Sequence, residues 1–420
     1  MSSNEWKLYK LDELLLKRNQ GVNTTTEKVK YSNNGIPVIR AQNILTSGLS
    51  FNDIAYVDEE TFKRVRPECK PLINDILYTN IGSQFGTACK VNTDFPFLIA
   101  WNVLRLQPNS LILPEFLIYT LNNPIVKTKI QSLNSSSTMP FVSGKEMGNV
   151  ELKVPNIEVQ NKIASTLSAL DEKIANNSKT NQTLEAIART LFKEWFVNFN
   201  YPNADGGRKH SELGEIPSNW KIDGIGAISY VQNGYAFKSN DFKELGEVGI
   251  IKIKNINENV VEIENTDFVD ISVIDKLDTK FKIESGSLLI AMTGAGVGKI
   301  GLVPLTEKYL WLNQRVGMFK EKITYGNLFM YLLLSSDTYQ TSIQNSALGS
   351  AQPNISASAI ESIRAIIPTA ELIEAFGRTV NPMFEKILDN LAENETLKTT
   401  RDSLLPKFMS GEIDVNNSNG

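Results

Sequence analysis

Histidine is nearly absent from this chain of 420 residues; the single one, His210, lies in the polar run Gly206-Gly207-Arg208-Lys209-His210-Ser211. Chemistry that needs a histidine base, a Ser-His-Asp triad or clustered histidine metal ligands is all but excluded, and His210 reads as a surface-loop residue. Cysteine is almost as scarce. Cys69 and Cys89 form no Cys-x-x-Cys and no framework, which argues against disulfides or zinc and for free thiols in a cytoplasmic chain. No apolar run approaches the ~18 residues that a membrane helix needs, and Met1-Ser2-Ser3-Asn4-Glu5 is polar and unlike a targeting segment. A dominant charge is missing too: 43 Lys and Arg against 47 Asp and Glu leave a net −4, so composition alone does not nominate a nucleic-acid binder. Counted by segment, residues 1–155 hold 17 basic and 14 acidic side chains, 156–200 five of each, 201–368 16 against 19, and 369–420 five against nine. Any binding to nucleic acid must then use placed side chains on a near-neutral body, or a basic partner beside it.

What the chain does have is an internal repeat. Trp6-Lys7 returns as Trp220-Lys221, Gly35-Ile-Pro-Val-Ile as Gly249-Ile-Ile-Lys-Ile, Asp75-Ile-Leu-Tyr-Thr-Asn-Ile-Gly82 as Ser287-Leu-Leu-Ile-Ala-Met-Thr-Gly294, and Val154-Pro155 as Ile367-Pro368. The order is the same and each shift lies between 212 and 214 residues, far beyond the period of a solenoid, so a domain is duplicated. In each copy short β-rich runs alternate with Gly, Asn, Ser and Pro clusters, the pattern of a loop-rich mixed α/β domain. A helical run follows at Leu113–Leu121 and Leu328–Leu334, and after Pro155 and Pro368 the composition turns to that of a long helix.

That helix carries a heptad seam: Ile163, Leu167, Leu170, Ile174, Asn177, Asn181, Leu184, Ala188, Leu191 and Trp195, matched 213 residues later by Phe376 through Phe408. Asparagine at Asn177, Asn181, Asn390 and Asn394 has two readings. It marks a break between shorter helices, being a poor helix-interior residue, or it fixes the register of two antiparallel helices about a pseudo-twofold. Under the second reading, partners have numbers summing to 571, so that Asn177 faces Asn394 and Asn181 faces Asn390. The expected fold class is α+β: two similar mixed α/β domains separated by two long antiparallel coiled-coil helices. The domain limits are 1–155, a helix at 156–200, a linker at 201–214, a second domain at 215–368, a second helix at 369–410 and a flexible tail at 411–420. A helix from 157 to about 197 measures ~60 Å at 1.5 Å per residue. Two like heads on such a ruler suit a long, nearly dyadic ligand, and duplex DNA with half-sites about one ~34 Å turn apart is the obvious candidate.

The loudest local motif is Ala291-Met-Thr-Gly294-Ala-Gly296-Val-Gly298-Lys299-Ile-Gly301. As a phosphate-binding loop it fails at both ends, with Thr293 where the first Gly belongs and Ile300 where a Ser or Thr should follow Lys299. As a dinucleotide fingerprint it leads into a strand and not a helix. Its repeat equivalent, Thr79–Thr87, keeps only the turn glycines, so both read as β-hairpin loops, able to approach a DNA backbone closely. Asn381-Pro-Met-Phe384 faintly matches an adenine methyltransferase motif, but no Gly-rich cofactor loop accompanies it and Met383 lies on the seam, so helix core is the better reading. Polar loops at 132–143 and 346–356 end each domain with hydroxyl and amide groups suited to phosphates and base edges, or to ordinary turns. Candidate DNA-contacting residues are Arg40, Gln42 and Asn43 with Lys252, Lys254 and Asn255 at a repeated strand end, Asn80, Ser83, Gln84, Thr293 and Lys299 in the hairpin loops, and Ser136, Ser350, Gln352 and Asn354 in the polar loops. No catalytic or metal-binding set emerges.

These motifs together resemble the specificity subunit of type I restriction-modification systems over essentially the full length. The carriers are Gly214-Glu-Ile-Pro-x-x-Trp220, Gly234-Tyr-Ala-Phe-Lys-Ser-x-Asp-Phe242 leading to Gly249-Ile-Ile-Lys-Ile, the loop through Pro353-Asn-Ile-Ser356, and the long helix after each Pro. The resemblance implies that 1–155 and 215–368 are two target recognition domains, each reading one half of a split asymmetric DNA site. It implies a subunit without an active site that joins two adenine methyltransferase subunits and restriction motor-nuclease subunits. S-adenosylmethionine, ATP and magnesium then belong to those partners and no cofactor to this chain. The rival readings are a stand-alone duplicated DNA-binding regulator and a DNA methyltransferase in its own right.

Overall fold

The computed structural model describes residues 6–134, 140–257, 259–347, 353–413 and 415. It divides into two compact units, one built from 1–175 with 396–420, the other from 176–395. The division falls inside two long helices, Ile157–Phe196 and Ala370–Ser410. Each is unbroken, so the asparagines at 177, 181, 390 and 394 do not mark helix breaks. The first helix begins where the sequence changes composition: Asn156 Oδ1 accepts the Val159 N–H at 2.9 Å, satisfying one of the free amides of the first turn. The second ends on Gly411, whose φ of +77° is the left-handed conformation in which glycine costs least.

In the first unit a four-stranded antiparallel sheet has the order Leu15–Gln20, Val103–Pro108, Ile76–Thr79, Ala88–Lys90. A three-stranded sheet sets Ile36–Ile39 antiparallel to Ala55–Val57 and parallel to Leu98–Ile99. The larger sheet buries Ile76, Tyr78, Leu104 and Leu106 against Phe116 and Leu117 of the helix Pro114–Asn122. The same core takes in Val159, Ile163 and Leu167 from the first long helix and Leu405 and Phe408 from the second. Inside the sheet, Arg105 and Asp75 form an ion pair at 2.5 Å with side chains only 6% and 5% exposed. Two more contacts from Arg105 reach the Pro67 and Glu68 carbonyls, the kind of extra bonding a buried pair requires.

The second unit repeats this plan with more strands. Ser229–Asn233, Val316–Glu321, Leu288–Ala291 and Ile300–Leu302 lie in that order and extend to Asn259–Val261 and Ile256–Asn257. Val248–Ile251 runs parallel to Tyr309–Leu312 in a second sheet. Its core closes on an aromatic cluster in which Phe196 meets Phe329 at 4.9 Å and Phe376 at 5.0 Å, both edge-on, an arrangement that adds to the burial itself. Within this unit the long helices meet antiparallel. Asn177 Nδ2 donates to Asn394 Oδ1 at 3.0 Å and to Glu393 Oε2 at 2.8 Å, and Asn390 Nδ2 donates to Asn181 Oδ1 at 2.7 Å. The two asparagine pairs are those whose numbers sum to 571.

One detail differs from the sequence expectation. The linker is not featureless: Arg208–Ser211 and Gly214–Pro217 pair as a hairpin, with His210 exposed on it and Arg364 holding Glu212 at 2.7 Å. The positive φ of Gly214 makes the turn. Asn381–Phe384 lies inside the helix Ala370–Ser410 as expected, and Phe384 is buried against Tyr331 at 5.4 Å; that burial leaves no role for the segment in flipping a base. Among the described residues no helix is long and apolar enough to cross a membrane.

Cys69 and Cys89 are free and buried, and loss of solvent pushes their thiols up to about 11 and about 12 respectively. A thiol reagent at neutral pH should therefore label neither in the folded protein and both after denaturation. Asn394→Ala should cost about 1–3 kcal/mol in a denaturant melt by leaving Asn177 short of a partner. A double-mutant cycle with Asn177→Ala should return a coupling well above the additive value.

Candidate nucleic-acid interface

At one end of each large sheet, where the strands stop, four chain turns gather. In the first unit these are the turn at Gly21, the hairpin loop after Thr79, the turn at Ala100–Asn102 and the segment Pro140–Val142. Gly21 allows the closest approach, since a Cβ there would collide with the Ala100 carbonyl. The Gly82 amide donates to the Pro140 carbonyl at 3.0 Å and the Val142 amide to the Asn80 carbonyl at 3.2 Å. Asn80, fully buried, ties the remainder: its Nδ2 donates to Gln20 Oε1 and the Val142 carbonyl, and its Oδ1 accepts from Gln20 Nε2. Gln20 also holds the Trp101 carbonyl, and Asn102 Oδ1 accepts the Ala41 amide at 3.3 Å. Above this polar junction Ser83 and Gln84 are exposed, and Trp101 is 47% exposed, unusual for so large an apolar ring.

The second unit builds the same cluster from equivalent positions. Gly234 abuts the Asn313 carbonyl as Gly21 abuts Ala100. The Gly294 amide donates to Pro353 O at 2.9 Å, Ile355 N to Met292 O at 2.9 Å, Met292 N to Arg315 O at 3.0 Å, and Gln314 N to Tyr235 O at 2.8 Å. The glycine-rich motif is thus a loop between the antiparallel strands Leu288–Ala291 and Ile300–Leu302, with no helix behind it. Lys299, Gln314, Arg315 and Asn354 are exposed here, and Thr293 is half-buried with an Oγ1 that has no partner among the described residues. No described residue pairs with the ammonium of Lys299 or the guanidinium of Arg315. Among the described residues no cluster of His, Cys, Asp or Glu is arranged to hold a metal.

Several expected contacts fall elsewhere. Asn43 and Asn255 are each only 1% exposed and hold a tight turn. Asn43 Oδ1 accepts the Arg40 amide while its Nδ2 donates to Asn52 O, and Asn255 bonds the Lys252 amide and the Glu262 and Asn265 carbonyls. Neither amide is available to a base, which corrects the reading of both. Asn80 is corrected on the same ground. Arg40 donates to the Asp53 carbonyl. Lys252 and Lys254 clamp Asp267 at 2.7 and 2.9 Å, with Lys252 also 3.5 Å from the Phe242 ring centre. Partial burial alone would raise the Asp267 carboxyl, but the hydrogen bonds and charges of the two lysines outweigh it and hold it below the usual carboxylate range. The strand-end cations are therefore largely spent, whereas Gln42 beside them is exposed. Ser136, Ser350 and Gln352 lie outside the described residues. The polar loops finish on helix caps, Ser143 Oγ accepting Glu146 N and Ser356 Oγ accepting Ala359 N.

Sequence reasoning missed Gln20, Trp101, Gln314 and Arg315. The available signal was a polar or aromatic pair interrupting two β-rich runs, Leu98-Ile-Ala-Trp-Asn-Val and Leu312-Asn-Gln-Arg-Val, at the repeat offset.

The family model for the type I restriction modification DNA specificity domain matches this chain twice, at residues 3–186 and 217–398. The MjaIX type I specificity subunit of Methanocaldococcus jannaschii is 29% identical over 315 residues, covering 74% of this chain and 72% of its own. The HindI specificity subunit of Haemophilus influenzae is 27% identical over 402 residues, covering 81% and 86%. The crystal structure of a type I restriction-modification S subunit from M. genitalium aligns over 97% of both chains with a TM-score of 0.60 at 16% identity, a likeness of fold.

Asn80→Ala should destabilise the first unit by about 1–3 kcal/mol, because Gln20 and the Val142 carbonyl would lose their buried partner. Ser83→Ala and Gln84→Ala, at exposed sites, should change stability by less than about 0.5 kcal/mol. Thermal melts of the three variants separate the buried support of the cluster from its exposed surface.

Proposed function

The chain belongs to the family of type I restriction-modification DNA specificity subunits, and on that premise we propose that each unit reads one half of a bipartite, asymmetric DNA site. The observation that carries this reading is that the same four-turn cluster is built twice on near-identical backbone bonds and crowned with different exposed side chains: Ser83, Gln84 and Trp101 in one unit, Lys299, Gln314, Arg315 and Asn354 in the other. Equivalent scaffolds with unlike surfaces suit two unlike half-sites. Amide, hydroxyl and guanidinium groups are those that read base edges and position phosphates.

Specificity subunits are the DNA-recognition, non-catalytic component of type I systems, and the proposed partners of this chain are two adenine methyltransferase subunits and the restriction motor-nuclease subunits. S-adenosylmethionine is assigned to the methyltransferases, and ATP and magnesium to the motor-nuclease. The charge distribution supports such a division. Many lysines and arginines are neutralised within the fold, as at Asp267, Glu212 and Glu264, and surface pairs of this kind remove field without adding much stability. Much of the cationic clamp on the DNA backbone is then expected from the partners.

Mapping adenine methylation across the host genome with and without the gene should show loss of one bipartite motif. An unchanged methylome would overturn the assignment. The isolated subunit should bind its site weakly and with steep salt dependence, tightening when methyltransferase subunits are added; tight specific binding by the chain alone would identify a self-sufficient regulator instead.

A further inference from the structure

We propose that Arg315 is the guanine-reading side chain of the second half-site and that Lys299, in the same cluster, contacts a phosphate; this rests on the DNA-reading assignment above and deepens it. The two residues flank one strand end. The Ala291 amide donates to the Lys299 carbonyl at 2.8 Å and the next amide, Met292, donates to the Arg315 carbonyl at 3.0 Å. Flanking one strand on its two sides sets their backbones about 10 Å apart, two interstrand spacings.

Both backbones are held, and the side chains differ in the way their tasks would. Arg315 is pinned: besides the bond to its carbonyl, its own amide donates to Asn313 Oδ1 at 3.3 Å, Gln314 N is held by Tyr235 O, and Val316 enters the sheet opposite Ala291. A base reader needs such a fixed origin, because the paired bonds of a guanidinium to guanine O6 and N7 tolerate little drift. The Lys299 backbone is held as well, its amide donating to the Gly296 carbonyl at 3.0 Å, and it follows Gly298 at φ +86°. A compact charge on a long stem leaving a glycine-rich loop suits a phosphate, which demands charge more than angle. Both cations are exposed and neither meets a carboxylate among the described residues, although residues 201–368 are net acidic and Lys243, Lys252, Lys254, Lys308 and Arg364 are all paired. In the first unit the equivalent turn carries Trp101 and Asn102, and Asn102 Oδ1 is committed to the Ala41 amide. The guanidinium is thus specific to one half.

The test is methylome mapping, together with DNA-binding titrations over a range of salt, on the complete complex of this chain and its methyltransferase subunits, carrying Arg315→Ala, Arg315→Gln, Lys299→Ala or Trp101→Ala, each checked for folding by thermal melt. Arg315→Ala should make one G·C position in one half-site degenerate, with discrimination there falling about tenfold to a hundredfold. The other half, the one altered by Trp101→Ala, should stay intact. Arg315→Gln should shift that same position toward A·T, since a glutamine pairs with adenine. Lys299→Ala should weaken binding evenly over all sequences and lower the salt slope by about one. An unchanged motif in the Arg315 variants, while deletion of the gene still erases the motif, would sink this inference and leave the family function standing. Even weakening by Arg315→Ala with a reduced salt slope would make it a phosphate contact and overturn the proposal, as would loss of all methylation in both Arg315 variants of a folded, assembled subunit.

Discussion

Neither unit closes its hydrophobic core without both long helices. In the first, Val159, Ile163 and Leu167 come from one helix and Leu405 and Phe408 from the other; in the second, Phe192 and Phe196 are met by Phe376 and Phe384. An amphipathic helix of this length gains most of its stability from tertiary packing and little from propensity, so the helices depend on the heads as much as the heads on them. Buried polar contacts then fix which residues face which. Tyr119 reaches Asp171 at 2.6 Å, and Arg401 holds the same carboxylate at 2.7 Å; in the other unit Tyr331 reaches Glu185 at 2.8 Å, and Arg189 holds it at 2.6 Å. With the hydroxyl anchored, sliding the helix by one turn would strand a buried polar group, a penalty that apolar packing alone does not impose.

This dependence explains what was legible in the sequence. Repeat offset, heptad spacing and composition change all express burial, and burial periodicity is the strongest signal a single chain carries. The asparagines on the seam were readable because polar residues at regular apolar positions demand partners, and the matched numbers named them. The hairpin nature of the glycine-rich loop was readable for a similar reason: its repeat equivalent keeps only the glycines that the backbone needs. The linker hairpin at 208–217 was missed because its strands are mostly exposed and polar, so no period marks them.

The candidate site was less legible. Arg40-x-x-Asn43 and Lys252-x-x-Asn255 drew attention because they recur, yet recurrence is what a structural turn produces: both asparagines close the same loop by the same bonds. Two heads that read different sequences must differ where they touch them. Trp101-Asn102 against Gln314-Arg315 is a difference of that kind, at positions held by equivalent backbone bonds. In a duplicated chain, likeness marks scaffold and unlikeness marks readout. Charge counting failed on the same ground. The sum over a segment hides that Lys252 and Lys254 share Asp267 while Arg315 meets no carboxylate among the described residues, and a binding surface responds to unpaired charge.

The interleaving of the units along the chain sets the order in which they can mature on the ribosome. The second unit is complete once residue 395 has been made, whereas the first, although its head is synthesised before the other, lacks Leu404, Leu405, Phe408 and the Gly411 turn beside Trp6 until residue 411 has been added. Until then Ile163 and Leu167 present an open apolar stripe, a surface of the kind that engages chaperones. Of the two heads, the one encoded earlier is therefore the one that finishes folding later.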